Sequence, residues 1–178
     1  AAPSVVLLEG VLDDTGTADS GDAAATAAFT RLIEAVQSAG GPAYQFAQID
    51  PADKADGGMG DNARLGFLFD PNRVKLEGTA ASAGVAAEVK CEQGKAHLSY
   101  NPGRIDPGNN LWSGSRKPLA LQVQVEGDSL FIIGIDLVSK AADSPLYGAV
   151  QPPLRPSDAV RYAQATIIAD FVQQILTC

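Results

Sequence analysis

The sequence predicts a mixed chain of the α/β or α+β kind, built as a layered sandwich. Three observations carry this. Short apolar or alternating segments with the two-residue period of strands dominate. Only two segments have helical periodicity, one early and one late. Strands and helices do not alternate regularly, as a strictly parallel βαβ sheet would require.

The elements follow in order. Val5-Val6-Leu7-Leu8 is a short, wholly apolar strand, expected to lie inside a sheet and be covered from both sides. It runs into an acidic loop, "EGVLDDTGTADSGD", rich in turn residues. Asp22 is placed to cap a helix whose face is Ala25, Phe29, Leu32, Ile33 and Val36, and Gly40-Gly41 ends it. "AYQFAQI" is a strand and "PADKADGGMGD" a flexible loop. "ARLGFLF" and "RVKLEG" are expected to pair around Asp70-Pro71-Asn72, and residues 79–95 read as irregular.

"NPGRIDPGNNLWSGS" is a long loop ordered by contacts. Leu119, Leu121, Val123 and Val125 then alternate with Ala120, Gln122, Gln124 and Glu126, and Gly127-Asp128-Ser129 turns the chain. Leu130 to Ile135 are so apolar that the returning strand is expected to be covered on both faces. After the loop "SKAADSPLYGAVQPPLRP", Ser157-Asp158 cap a closing helix with Val160, Ala163, Ile167, Phe171 and Ile175 on one face. Trp112 and Tyr147 are expected to pin their loops. His97, in "KAHLSY", reads as a packed or surface residue on a strand.

Composition bounds the function. The 178 residues suit a single domain, 1–178, with a sizeable core. Thirteen basic against twenty-one acidic residues give a net charge of −8. That opposes tight, sequence-independent binding of nucleic acid, which a basic stripe supplies. Two cysteines, Cys91 and Cys178, allow one disulfide or two free thiols and make no metal cluster. No apolar run approaches the roughly 20 residues that cross a bilayer. No signal peptide is recognisable, and Ala1-Ala2-Pro3 reads as a processed terminus or the start of a fragment.

Several segments, in order, resemble the endonuclease/exonuclease/phosphatase superfamily, the DNase I-like fold, in its secreted bacterial and fungal branch. "DNARLGFLFDPNRV" is similar to a strand pair that ends in a Tyr/Phe-x-Pro-x-x-Val turn. "NPGRIDP", "SGSRKPLA", "SKAADSPLYGAVQPP" and "RYAQATIIADFV" fit the same branch in the same order. The likeness spans roughly residues 4 to 176. It implies an αββα sandwich of two mixed sheets flanked by helices. It also implies an extracellular or periplasmic location, with which the Ala-Ala-Pro start agrees.

The resemblance identifies candidate residues, and departures among them. Active members hold a metal through a glutamate at the end of an early strand, ahead of an acidic loop. Anchored on Asp13-Asp14, that position is Gly10, and Glu9 precedes it. Strand side chains alternate faces, so Glu9 replaces its neighbour as a metal ligand only through a register slip or bulge. The expectation is a lost ligand.

Where relatives carry a histidine after the long hairpin, this chain has Asp136. A carboxylate there repels a phosphate unless a metal bridges them, and it reads as lost catalysis. Arg116, in "SRKP", matches a phosphate-contacting arginine, with a structural role as its alternative. Asn62 and Arg64 match a polar pair before the third strand, with Ala63 where some nucleases carry a supporting glutamate. Asn101 and Arg104 are expected to organise their own loop.

The family's opening Asn-bearing strand and its closing Gly-Asp-x-Asn and Ser-Asp-His motifs have no counterpart in residues 1–178. Open sheet edges are therefore expected, to be paired by another chain, a second copy or further parts of the same polypeptide. The functional expectation is a catalytically degenerate nuclease-like module acting as a structural or interaction subunit, without a cofactor. The alternative is a fragment of an extracellular Mg²⁺- or Ca²⁺-dependent phosphodiesterase.

Overall fold

A computed structural model describes residues 2–52 and 62–178, so the loop expected at 51–61 falls almost wholly outside the described residues. Among the described residues the fold is mixed α and β, with two α-helices and antiparallel strand pairings. Its first sheet has β3 (Arg64–Phe69) at the centre, between β1 (Val5–Val11) and β2 (Gln45–Gln48). β3 is buried along its whole length, which its near-continuous apolar run dictates.

Helix α1 (Thr26–Ser38) covers the outer face of this sheet. Phe29 packs there with Val6, Leu8, Phe46 and Leu68, and its ring stacks on Phe46 at 4.8 Å. The ring lies directly over Gly66, where a β-carbon would come within 2.8 Å of Phe29 Cε1. Only glycine permits this approach of helix to strand.

The second sheet is built on β8 (Arg116–Val125). Along one edge it pairs with β4 (Lys75–Leu76) and β7 (Gly103–Arg104), and along the other with β9 (Asp128–Asp136). Helix α2 (Pro156–Leu176) covers its outer face through Ile167, Phe171 and Ile175, packed with Ala120 and Ile133. The inner faces meet in the main core, where Leu65, Phe67 and Phe69 pack with Leu119, Leu121 and Val123. The hairpin and the closing helix thus stand as expected.

Other elements differ from the expectation. Residues 79–95 are not wholly irregular: β5 (Val89–Glu92) pairs with β6 (Lys95–Leu98) across Gln93-Gly94. Both turn residues have positive φ, 51° and 73°, the signature of a tight two-residue hairpin. "RVKLEG" does not pair with "ARLGFLF". Asp70 accepts from the backbones of Asn72, Arg73 and Val74, and this turn sends the chain across to β8. Instead of mixed sheets, all strand ladders are antiparallel among the described residues, the one parallel contact being the bridge Ala86–Arg104.

The capping residues are distant ones. α1 is capped not by Asp22 but by Asp14, whose carboxylate accepts from Ala27 and Ala28 N–H at 3.1 and 2.8 Å. At α2 the cap is Asp143, which takes the Ser157 N–H at 3.0 Å and its hydroxyl at 2.7 Å. Negative charge at these ends also complements the helix dipole. Leu32 is 40% exposed rather than part of the core face, and Tyr147 is 94% exposed rather than pinned. Trp112 does pin its loop: it is buried and donates Nε1–H to the Asp106 carbonyl at 3.0 Å.

The largest correction concerns the apolar outer strands. Among the described residues β1 pairs only with β3, so it is an edge and does not lie inside the sheet, although its faces are covered by the core at Val5 and by α1 at Val6 and Leu8. β9 pairs only with β8 and is covered on both faces in its middle, at Ile132 and Ile133. Leu7 is 36% exposed on β1, and Leu130 and Ile135 are 51% and 39% exposed on β9. Apolar composition marks strands that favour burial; it does not supply the neighbour that would bury them. Cys91 and Cys178 form a disulfide, which ties β5 to the residue after α2. No described helix is long and apolar enough to cross a membrane.

Candidate functional site

Both sheets present their strand ends at a common rim. In the first sheet these are the end of β1, the end of β2 and the start of β3. In the second they are β7, the start of β8 and the end of β9. The two are tied by Arg104 of β7, which donates from Nη2 to the Ile49 carbonyl at 3.2 Å, just beyond β2. The rim therefore collects Glu9, Arg64, Arg104, Arg116 and Asp136 from positions up to 127 residues apart in sequence (136 − 9).

Glu9 reaches the rim through a bulge. The β1–β3 register runs Leu7↔Phe67 and Leu8↔Gly66, then resumes at Val11↔Arg64. Glu9 and Gly10 together oppose the single residue Leu65, the two-to-one count of a β-bulge. Gly10 has φ +68°, a conformation that glycine adopts at little cost. This is the irregularity that the sequence required before Glu9 could stand in for its neighbour. Leu7 lies on Gly134 of β9, where a β-carbon would meet Leu7 Cδ1 at 2.6 Å. Two positions beyond Gly134 on β9, and so on the same face of that strand, comes Asp136, while Glu9 is exposed at the end of β1.

Asp136 is directly opposite Arg116 in the β8–β9 ladder, and the two are ion-paired at 3.5 Å. Their side chains are 29% and 32% exposed, so the pair is partly shielded from water. Arg116 Nε is buried without a hydrogen-bond partner among the described residues. The guanidinium faces a carboxylate of its own chain where the resemblance implied a phosphate.

Arg64 is 1% exposed. Its Nη1 donates to Asp50 and, at 3.4 Å, to Gln48, and its Nη2 donates to the Asn62 carbonyl at 3.0 Å. Burial pushes this guanidinium below its usual pKa, opposed by the neighbouring Asp50 and Asp13 charges. Asn62 is also buried and donates to the Asp13 carboxylate at 3.3 Å and the Asp22 carbonyl at 2.9 Å. These donors tie the acidic loop to β3.

The acidic loop itself was legible only as polar. Asp13 is 3% exposed and accepts from the Thr15 hydroxyl at 2.7 Å and the Thr15 N–H at 2.8 Å. The Thr15 hydroxyl bond is the largest influence holding its carboxyl below the usual range, with the Thr15 N–H, Asn62 and Arg64 adding to it. An Asp two residues before a Thr is the local signal for such a turn, and "DDT" carries it. Asn101 reaches beyond its own loop to bond both backbone groups of Gln122.

The sole histidine, His97, stands opposite Lys90 on the β5–β6 hairpin. It lines a cavity of about 600 Å³ with Gly127 and Cys178, at the far end of β8 from Arg116. The rim therefore receives no imidazole. Among the described residues no three His, Cys, Asp or Glu side chains group to hold a metal. Glu9 and Asp136 are carboxylates of the kind that Mg²⁺ and Ca²⁺ favour, and one or two carboxylates with waters completing the shell are a usual Mg²⁺ donor set, but Asp136 is ion-paired with Arg116.

Comparison of the chain with protein-family models, with curated proteins and with solved structures finds no match.

Proposed function

We propose that the chain is a nuclease-like module of the DNase I-like type, arranged as an αββα sandwich, that has lost phosphodiester hydrolysis and serves as an interaction subunit. The observation that carries this reading is the Arg116–Asp136 pair. A phosphate-binding guanidinium is effective when its charge is free to meet the incoming anion. Here a carboxylate already neutralises it, and that carboxylate repels a phosphate. The second cation of the resemblance, Arg64, is folded inward onto Asp50.

The interaction role draws support from the open edges of β1 and β9. Leu7 on Gly134 puts those edges on the same side of the sandwich, one above the other. Unpaired strand edges with exposed apolar side chains are templates for strand addition. A second apolar surface follows β9. The segment 144–154 contains no charged residue, yet Leu146, Tyr147, Val150 and Leu154 are all about half exposed or more. Its fold is held internally, by Gln151 donating to the Leu146 and Gly148 carbonyls and by Ser144 donating to Leu154. A preformed apolar protrusion loses little entropy on docking. The Cys91–Cys178 disulfide supports an oxidising, extracellular or periplasmic setting.

One observation favours the alternative, a divalent-metal phosphodiesterase fragment: the bulge that brings Glu9 to the rim. The two readings separate in a hydrolysis assay on plasmid DNA, RNA and a nitrophenyl phosphodiester with Mg²⁺ or Ca²⁺. No turnover is expected. Turnover that chelation abolishes, and that Glu9→Gln and Arg116→Ala each abolish, overturns the proposal. The interaction role is read by sedimentation. The free chain is expected to associate through its β1 and β9 edges, and a monodisperse, cooperatively melting monomer would contradict that role for the edges.

A further inference from the structure

Away from the rim, a groove of about 570 Å³ runs between α2 and the segment that enters β5. Its floor is apolar, formed by Ala87, Ile105 and Phe171, each buried. Three exposed carboxylates stand around that floor: Glu88 beside Ala87, Asp106 beside Ile105, and Asp170 beside Phe171. Each apolar floor residue is thus followed or preceded by an acidic one. Glu88 is paired with Lys90 in an exposed contact, and Asp106 accepts from Asn109 Nδ2 at 2.8 Å. Asp170 has no ion pair among the described residues.

We infer that this groove receives a basic side chain, arginine foremost, presented by a polypeptide partner. The methylene stem of an arginine lies on the Phe171–Ile105 floor while its guanidinium meets Asp170 first, with Asp106 and Glu88 on the same lining, the two-part character such side chains carry. An anionic ligand meets like charge from the groove and from a chain of net charge −8. A wholly apolar ligand leaves Asp170 covered without a partner, at a cost that a basic side chain avoids. The helix wall spans residues 167–174, roughly 10 Å at 1.5 Å per residue, enough for about three residues of extended peptide.

This inference goes beyond the rim and stands whichever way the hydrolysis assay falls. The test is a titration of the ¹⁵N-labelled chain with N-acetyl-arginine amide, followed by amide chemical shifts. N-acetyl-citrulline amide, the neutral isostere, is the control. Saturable shifts are expected at Glu88, Asp106 and Asp170 with the arginine probe, and none that saturate with citrulline. Asp170→Asn and Asp106→Asn should each weaken arginine binding roughly two- to fivefold, as the loss of one exposed ion pair does. Asp170→Asn, at an exposed helical position, carries the test by itself should the loop variant fold poorly. Shifts absent from the groove, citrulline binding as tightly as arginine, or undiminished binding by Asp170→Asn would overturn the inference.

Discussion

Replacing Gly66 by alanine tests the contact between α1 and the first sheet more sharply than any truncation. The new β-carbon would overlap Phe29 Cζ, lie 2.8 Å from Phe29 Cε1 and 3.4 Å from Gln48 Cβ. Neither side has room to give. Gly66 is in β3, which β1 and β2 flank on both edges, and Phe29 is 1% exposed with its ring stacked on Phe46. Overpacking of this kind costs about 1–3 kcal/mol. Alanine is otherwise the better strand residue by roughly 0.5–1 kcal/mol, so the net loss is expected toward the lower end of that range. For a chain this long, each 1 kcal/mol lowers Tm by about 2–4 °C. Urea unfolding followed by circular dichroism measures the loss as a lower midpoint at unchanged slope. Phe29→Leu in the same chain removes the obstructing ring atoms, so the two substitutions should be less than additive. Gly66→Ala that is neutral or stabilising, or fully additive with Phe29→Leu, would refute the packing described.

Phe171→Ala should destabilise by about 3–5 kcal/mol in the same urea assay, because the ring is 5% exposed where α2 meets the second sheet. Reduction of Cys91–Cys178, which are 87 residues apart, should lower stability by up to about 4–5 kcal/mol in the chain-entropy limit, read as a drop in Tm with and without reductant. Asp13 has a depressed carboxyl pKa in the fold, so its contribution is present above its unfolded value of about 3.9 and is lost as pH falls through the lower folded value. Asp13→Asn should therefore lower stability at neutral pH and flatten its fall on acidification, measured by urea midpoints across the acid range.

Local pattern carried most of the elements of this protein. The 116–136 hairpin, the strand at 64–69 and the two helices declare themselves, because alternation and three-to-four spacing are properties of neighbours in sequence. The tight β5–β6 turn was also there to be read in Gln93-Gly94, but the small, weakly patterned residues before it hid the strand. The rim is another matter. Glu9 and Asp136 each stood out as single residues, and the sequence even stated the condition for Glu9, a bulge. That Asp136 lies opposite Arg116 depends on a ladder register with its own shift between Arg116 and Leu119.

What the sequence by itself determined is which segments become strands and helices, which of their faces are apolar, and where a carboxylate stands in place of a histidine. Only the tertiary structure decided that Asp14 and Asp143 cap helices that begin 12 and 13 residues after them (26 − 14 and 156 − 143). It alone decided that residues 75–76 cross to the second sheet, and that the apolar β1 is an edge rather than a centre. The physical reason is common to all three. Periodicity is set by a side chain's own backbone, whereas a cap, a sheet partner or an open edge is set by whatever distant chain arrives there, and that is fixed only when the whole core packs.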